Sequence, residues 1–312
     1  MPVITSITPS SPGAASASVD YTVQFDVVVS GVDLSDFELT RASGDAAGTI
    51  TSISGSDSTY VVTVSSITGE GSLRLDLKPS GTGIVDQVPT LISGGFTTGT
   101  AHVVDRVAPT VASINRVGGA TTGASSIDYT ITFSESVTGV GTSDFSLTKS
   151  GTANGTISGI SESGGVYTLT VSGVTGDGTL RLDLNNANTG ITDTAGNIIA
   201  DGGYTSGQVY TLDHTAPVVN SVSPPSDSIY RESSSLDFTV FFNEAMTVTG
   251  TPRIGVTLGA GGTKYADYVS GSGGTSLVFR YIVQAGDADA DGVTLNGAID
   301  LNGGSLADAA GN

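Results

Sequence analysis

The chain has 312 residues, with 11 Lys+Arg against 30 Asp+Glu, a formal net charge of −19, 44 Gly and no Cys or Trp. Without cysteine there is no disulfide framework, thiolate metal site or thiol nucleophile, and so acidic a balance cannot neutralise a run of phosphates or an anionic membrane surface. Charged residues make up only 13% of the chain, which argues against disorder, and no apolar run approaches the ~18 residues of a spanning helix. The opening Met1-Pro2-Val3-Ile4-Thr5 lacks the pattern of a signal peptide.

In chain order, the first recognisable strands are Tyr21-Thr22-Val23-Gln24-Phe25, Asp36-Phe37-Glu38-Leu39-Thr40 and Leu73-Arg74-Leu75-Asp76-Leu77. Each returns later: Tyr129-Thr130-Ile131-Thr132-Phe133, Asp144-Phe145-Ser146-Leu147-Thr148 and Leu180-Arg181-Leu182-Asp183-Leu184. The linker Asp105-Arg106-Val107-Ala108-Pro109 is answered by Asp213-His214-Thr215-Ala216-Pro217. A more divergent third copy carries Asp237-Phe238-Thr239-Val240-Phe241-Phe242 and ends on Asp308-Ala309-Ala310-Gly311-Asn312, the counterpart of Asp193-Thr194-Ala195-Gly196-Asn197. The period is that of whole domains rather than solenoid turns. It divides the chain at 1–105, 106–213 and 214–312.

Within the second copy the apolar period is two. Tyr129, Ile131 and Phe133 alternate with Thr, and Leu180, Leu182 and Leu184 with Arg181 and Asp183, the pattern of half-buried strands. Gly-rich breaks divide it into seven strands, near 110–116, 126–134, 143–149, 154–160, 165–172, 178–184 and 204–212. The expected fold is therefore all-β, three tandem immunoglobulin-like β-sandwich domains of about seven strands each. The third copy stops before the counterpart of residues 204–210. Its last strand is expected to be absent, either at a fragment boundary or because another copy donates a strand to the slot.

Strand parity carries the functional argument. If the first strand runs away from the preceding domain, the turns after strands two and six both lie at the junction with it. Those turns hold Glu135 and the Asp193–Asn197 loop, and the entering linker holds Asp105. The third copy repeats the set with Glu244, Asp308 and Asn312 under Asp213. Carboxylates gathered in this way repel unless a cation lies between them, and Ca2+ is the hard ion that suits carboxylate and carbonyl oxygens. The predicted ligands are Asp105, Glu135, Asp193, Asn197, Asp213, Glu244, Asp308 and Asn312. The first copy has Val27 in place of Glu135 and Asp86-Gln87-Val88-Pro89 in place of the Gly-Asn turn, and no domain precedes it here; no comparable site is expected at its free end.

Phe133-Ser134-Glu135-Ser136-Val137, Asp193-Thr194-Ala195-Gly196-Asn197 and the two Asp-x-x-Ala-Pro linkers resemble the tandem bacterial Ig-like repeats of large secreted surface adhesins, the biofilm-associated and RTX-type proteins. The resemblance spans essentially the whole chain and is strongest in the second copy; the linker also resembles that of cadherins. It implies Ca2+ at the junctions, with Asp105 and Asp213 as linker ligands, an extracellular place on the bacterial surface, and a stiff stalk whose partners are the neighbouring repeats. The assignment of Glu135 and Glu244 comes from strand parity.

Other features carry less. Asp287, Asp289, Asp291 and Gly292 open like an EF-hand loop, but Ala298 stands where a bidentate Glu is required, so a solvated turn competes with a weak Ca2+ site. Gly69-Glu70-Gly71 and Gly176-Asp177-Gly178 read as turns, and the Arg74/Asp76 and Arg181/Asp183 pairs as solvated partners. Neither His102 nor His214 sits in a catalytic motif, so no enzyme is expected. A glycan- or surface-binding module is the alternative; outward Thr130/Thr132 and Thr168/Thr170 are its only hint.

Overall fold

Alternating branched and aromatic residues fit a pleated, half-buried surface, and Gly, Asn and Asp supply the turns between them. A computed structural model describes every residue except 11–12, 15–16, 201–202, 260–261 and 291. The first domain contains β1 (Ile4–Pro9), β2 (Gly13–Ala14), β3 (Ser18–Phe25), β4 (Val29–Ser30), β5 (Phe37–Gly44), β6 (Ala47–Ser56), β7 (Thr59–Thr68), β8 (Gly71–Leu77), β9 (Val85–Asp86) and β10 (His102–Val104). The second repeats them as β11 (Val111–Arg116), β12 (Thr121–Thr122), β13 (Ser126–Phe133), β14 (Val137–Thr138), β15 (Phe145–Lys149), β16 (Asn154–Ser163), β17 (Val166–Thr175), β18 (Gly178–Leu184), β19 (Thr192–Asp193) and β20 (Val209–Leu212).

Both domains have one topology. A sheet ordered β1-β3-β7-β6 faces a sheet ordered β2-β10-β8-β5, and β11-β13-β17-β16 faces β12-β20-β18-β15. The inward residues of the facing sheets make one core per sandwich: Tyr21, Val23, Val62, Leu73 and Leu75 in the first, Tyr129, Ile131, Leu169, Leu180 and Leu182 in the second. A buried tyrosine ties the sheets together in each. The Tyr21 hydroxyl donates to the Leu73 carbonyl at 2.7 Å, and that of Tyr129 to Leu180 at 2.6 Å. The repeated Asp-Phe pair has a local cause: Asp36 and Asp144 accept from the backbone N–H of Asp33 and Gly141 at 2.8 and 2.7 Å. Each closes a 3-10 turn and delivers the following Phe to the core.

Two expectations change. The strand placed at 204–212 forms a ladder only over Val209–Leu212, with Tyr204 held to Leu184 by an isolated bridge. Gly207 lies against Ile114 there, in a chain that crosses between the sheets before pairing. The Arg74/Asp76 and Arg181/Asp183 pairs are not solvated: Asp76 and Asp183 are 2% and 6% exposed, each forked by its arginine and bonded to Thr40 or Thr148.

The third domain contains β21 (Val219–Ser223), β22 (Ser235–Thr249), β23 (Arg253–Leu258), β24 (Gly262–Ser270), β25 (Gly274–Ile282), β26 (Thr294–Asp300) and β27 (Ser305–Ala307). Here β24 pairs with both β23 and β25, so the sheets are joined through that hairpin. The long β22 breaks register between Phe241 and Met246 and then pairs with β27. Phe238 takes the position of Tyr129, on whose ring Tyr210 packs edge-on in the second domain. Beside it, Leu236, Phe238, Leu258, Val283 and Val293 line a cavity of about 620 Å³. Among the described residues, no helix is long and apolar enough to cross a membrane.

Candidate metal centres at the two linkers

The break between β13 and β14 places Glu135 at the end of the second sandwich that meets the linker. Immediately before it, the Ser134 hydroxyl accepts from the Thr110 N–H at 3.0 Å, holding the incoming chain against the strand end. Pairing of β14 with β19 sets Asp193 opposite Val137. The loop that follows is wound around the Asp193 carboxylate: Oδ1 accepts from the N–H groups of Ala195 and Asn197, both at 2.8 Å. That winding requires φ of +94° at Gly196, a conformation open to glycine at little cost.

Asn197 then reaches back to the linker. Its Nδ2 donates to the Asp105 carbonyl at 3.0 Å, the Val107 carbonyl at 3.4 Å and Asp193 Oδ2 at 2.8 Å. Asp105, Glu135 and Asp193 consequently each present a carboxylate oxygen, all within 4.8 Å of one another. Asp193 is 3% exposed, and the other two are half-buried.

The second linker repeats the construction. Asn243 replaces Ser134 and accepts from the Val218 N–H at 2.8 Å. Glu244 lies in the register break of β22. Asp308 Oδ1 accepts from Ala310, Gly311 and Asn312 at 2.8, 2.7 and 3.0 Å, with Gly311 at φ +95°. Asn312 Nδ2 donates to the Asp213 carbonyl at 2.9 Å and the Thr215 carbonyl at 3.3 Å. The oxygens of Asp213, Glu244 and Asp308 again lie within 4.8 Å of one another.

Charge crowding registers on the carboxyl groups. Desolvation, followed by the charges of Asp105 and Asp193, pushes Glu135 above its ordinary range. Desolvation also acts upward on Asp193, but hydrogen bonds from Asn197, Ala195 and Gly196 outweigh it and hold that carboxyl low. Asp308 is held low in the same way by Asn312, Ala310 and Gly311.

The first domain has half of the arrangement. Asp86 Oδ1 accepts from Val88 and Thr90 at 3.0 and 2.9 Å, the same loop closure. Val27 stands where the glutamate would be, and Asp26 takes the role of Ser134, accepting from the Val3 N–H at 2.8 Å. Among the described residues, the two triads are the only groups of three acids so close.

Of the predicted ligands, the structure brings the six carboxylates into two triads and sets Asn197 and Asn312 beside them as clamps of the linker carbonyls. The acidic run at 287–291 is arranged differently. Asp287 accepts from the Tyr281 hydroxyl at 2.6 Å and the Gln284 N–H at 2.7 Å, with Lys264 at 3.8 Å. Asp289 accepts from Gly292 and Gly259 at 2.9 and 3.2 Å, and Asp291 lies outside the described residues. The first-strand clamp by Asp26, Ser134 and Asn243 was missed in the sequence, where its signal is a small polar residue directly after the repeated Phe.

Residues 105–211 match the family model of a bacterial Ig-like domain. The match begins at the first linker acid and runs through the second sandwich to residue 211, in its last strand, which supports reading the chain as bacterial Ig-like repeats. Two solved structures, each described as a marsupial T cell receptor, are similar at 13% and 12% identity. The matches cover 99% and 95% of this chain and 98% of each of theirs, with TM-scores of 0.27 and 0.21, too low to carry an argument. No curated protein matches the chain.

Proposed function

We propose that the chain is a structural extender, a stalk segment of a bacterial cell-surface adhesin, with Ca2+ stiffening its two linkers. The observation that carries this reading is one carboxylate triad built twice, at equivalent places, with its oxygens within 4.8 Å. An ion that takes oxygens at ~2.3–2.6 Å spans ligands up to about 5 Å apart across its centre, so each triad has the spacing of a single site. The donors are hard oxygens without nitrogen or sulfur, the set that favours Ca2+ over zinc or copper.

Asp105 and Asp213 belong to the linkers, whereas Glu135 with Asp193 and Glu244 with Asp308 belong to separate turns of the following sandwich. A divalent ion supplies the positive charge that converts repulsion among three segments into a common attachment. Because the triad exists only in the folded, docked arrangement, binding there stabilises it by mass action. The bacterial Ig-like match supports the surface setting, and a chain without cysteine needs no disulfide chemistry on export. Sites in extracellular modules are filled even at Kd values of roughly 10⁻⁴–10⁻³ M.

Calorimetric titration with Ca2+ tests the assignment. The expected result is two junctions' worth of binding, of which Glu135→Ala with Asp193→Ala removes one and leaves the other. A stoichiometry unchanged by that double substitution contradicts the site.

A further inference from the structure

The Gly-acid-Gly turns have no part in the triads, yet both face a linker. Glu70 lies between β7 and β8, at the end of the first sandwich that meets the second, and Asp177 lies at the same place between β17 and β18. The Arg106 N–H donates to both oxygens of Glu70, at 2.9 and 3.1 Å, and the Arg106 guanidinium donates to the Ile67 carbonyl at 2.7 Å. At the second junction, the His214 N–H donates to Asp177 Oδ1 at 2.7 Å and the Thr215 hydroxyl to Oδ2 at 2.6 Å, while His214 Nδ1 meets the Gly176 carbonyl at 2.9 Å.

The flanking glycines make this approach possible. Gly69 and Gly176 both have φ of +73°, and a Cβ built on them would stand 2.6 Å from the Asp45 carbonyl oxygen and 2.2 Å from that of Thr152. The turn is therefore folded tightly onto the connection between β5 and β6, or β15 and β16, and its acid is held forward against the next residue of the linker. Two unlike side chains, Arg106 and His214, are received by one backbone arrangement. What is recognised is the N–H directly after the linker aspartate, with a second bond from a neighbouring side chain.

From this geometry we infer that Glu70 and Asp177 are linker latches: sites on the preceding domain that bind the linker backbone without a cation. Each linker is gripped on opposite sides by different chemistry. The latch fixes residues 106 and 214–215 to the domain before, and the triad with Asn197 or Asn312 fixes the linker to the domain after. The inference goes beyond the Ca2+ reading and stands whether or not an ion binds. It also locates the hinge. When the triad's charges are left unshielded, Asp105, held on the latch side between β10 and Arg106, is repelled by Glu135 and Asp193 of the following domain. The chain then bends at 107–110 and 216–218, while Arg106, His214 and Thr215 stay docked.

Amide hydrogen exchange of the full chain in chelator, resolved at Arg106 and His214 by NMR, tests the latch. Both amides are expected to remain protected. In Asp177→Ala the His214 amide should lose about tenfold or more of its protection, the equivalent of a charged hydrogen bond, with Arg106 unchanged. Asp177→Glu, which copies Glu70, should restore it and guards against a general effect on the fold. Exchange of both amides at open-peptide rates in chelator overturns the proposal, as does protection of His214 that is indifferent to Asp177→Ala.

Discussion

Glu135 is the triad acid whose carboxyl its surroundings push upward. With a carboxyl raised above its ordinary range in the folded chain, first by desolvation and then by Asp105 and Asp193, it binds protons more readily folded than unfolded. Folding then takes up protons across the interval between the two values, and stability falls as pH rises through it. In chelator, Glu135→Gln should raise the thermal midpoint of the second domain at pH 7. The advantage should close as pH falls through the raised carboxyl range and the wild-type group protonates. A gain of the same size at pH 4 and pH 7 would show that Glu135 feels no crowding. Asp193 has the opposite sign: its carboxyl is held low, so its contribution is present at neutral pH and lost as pH falls through its folded value.

At the scale of elements, alternation carries most of what the sequence shows of the fold. Tyr129, Ile131 and Phe133 alternate with Thr because one face of β13 is core, and strand parity alone placed Glu135 and Asp193 at one end of the sandwich. The burial of Asp76 and Asp183 escaped that reading, because period two assigns them to the outer face. Their cover comes from an arginine two residues away and a threonine across the sheet, a contact that only the register supplies. The latch acids were equally hidden, since a Gly-acid-Gly turn has the same sequence signature whether or not a linker lies against it. Sheet-to-sheet ties can be tested separately. Tyr129→Phe removes the hydroxyl bond to the Leu180 carbonyl, which keeps its place in the ladder with Tyr210, and should cost about 0.5–1.5 kcal/mol in urea unfolding of the second domain. A loss under a few tenths would mean that the hydroxyl bond contributes little.

For the whole molecule, the repeats act as their own controls. The first sandwich keeps the aspartate-wound loop at Asp86 and the first-strand clamp at Asp26, yet lacks the glutamate; the second and third, which follow a linker, have all three acids. The loop thus serves each domain's own fold, and the glutamate is what completes a triad with the linker acid in the second and third. On this account, stiffness resides in two short segments, 105–110 and 213–218, and everything between them is a preassembled sandwich. Small-angle X-ray scattering of the full chain in Ca2+ and then in EDTA measures that stiffness most directly. A sharply bounded maximum dimension in Ca2+ that broadens on chelation, and returns when Ca2+ is restored, is the predicted result. Superimposable profiles in the two conditions would contradict cation-stiffened linkers.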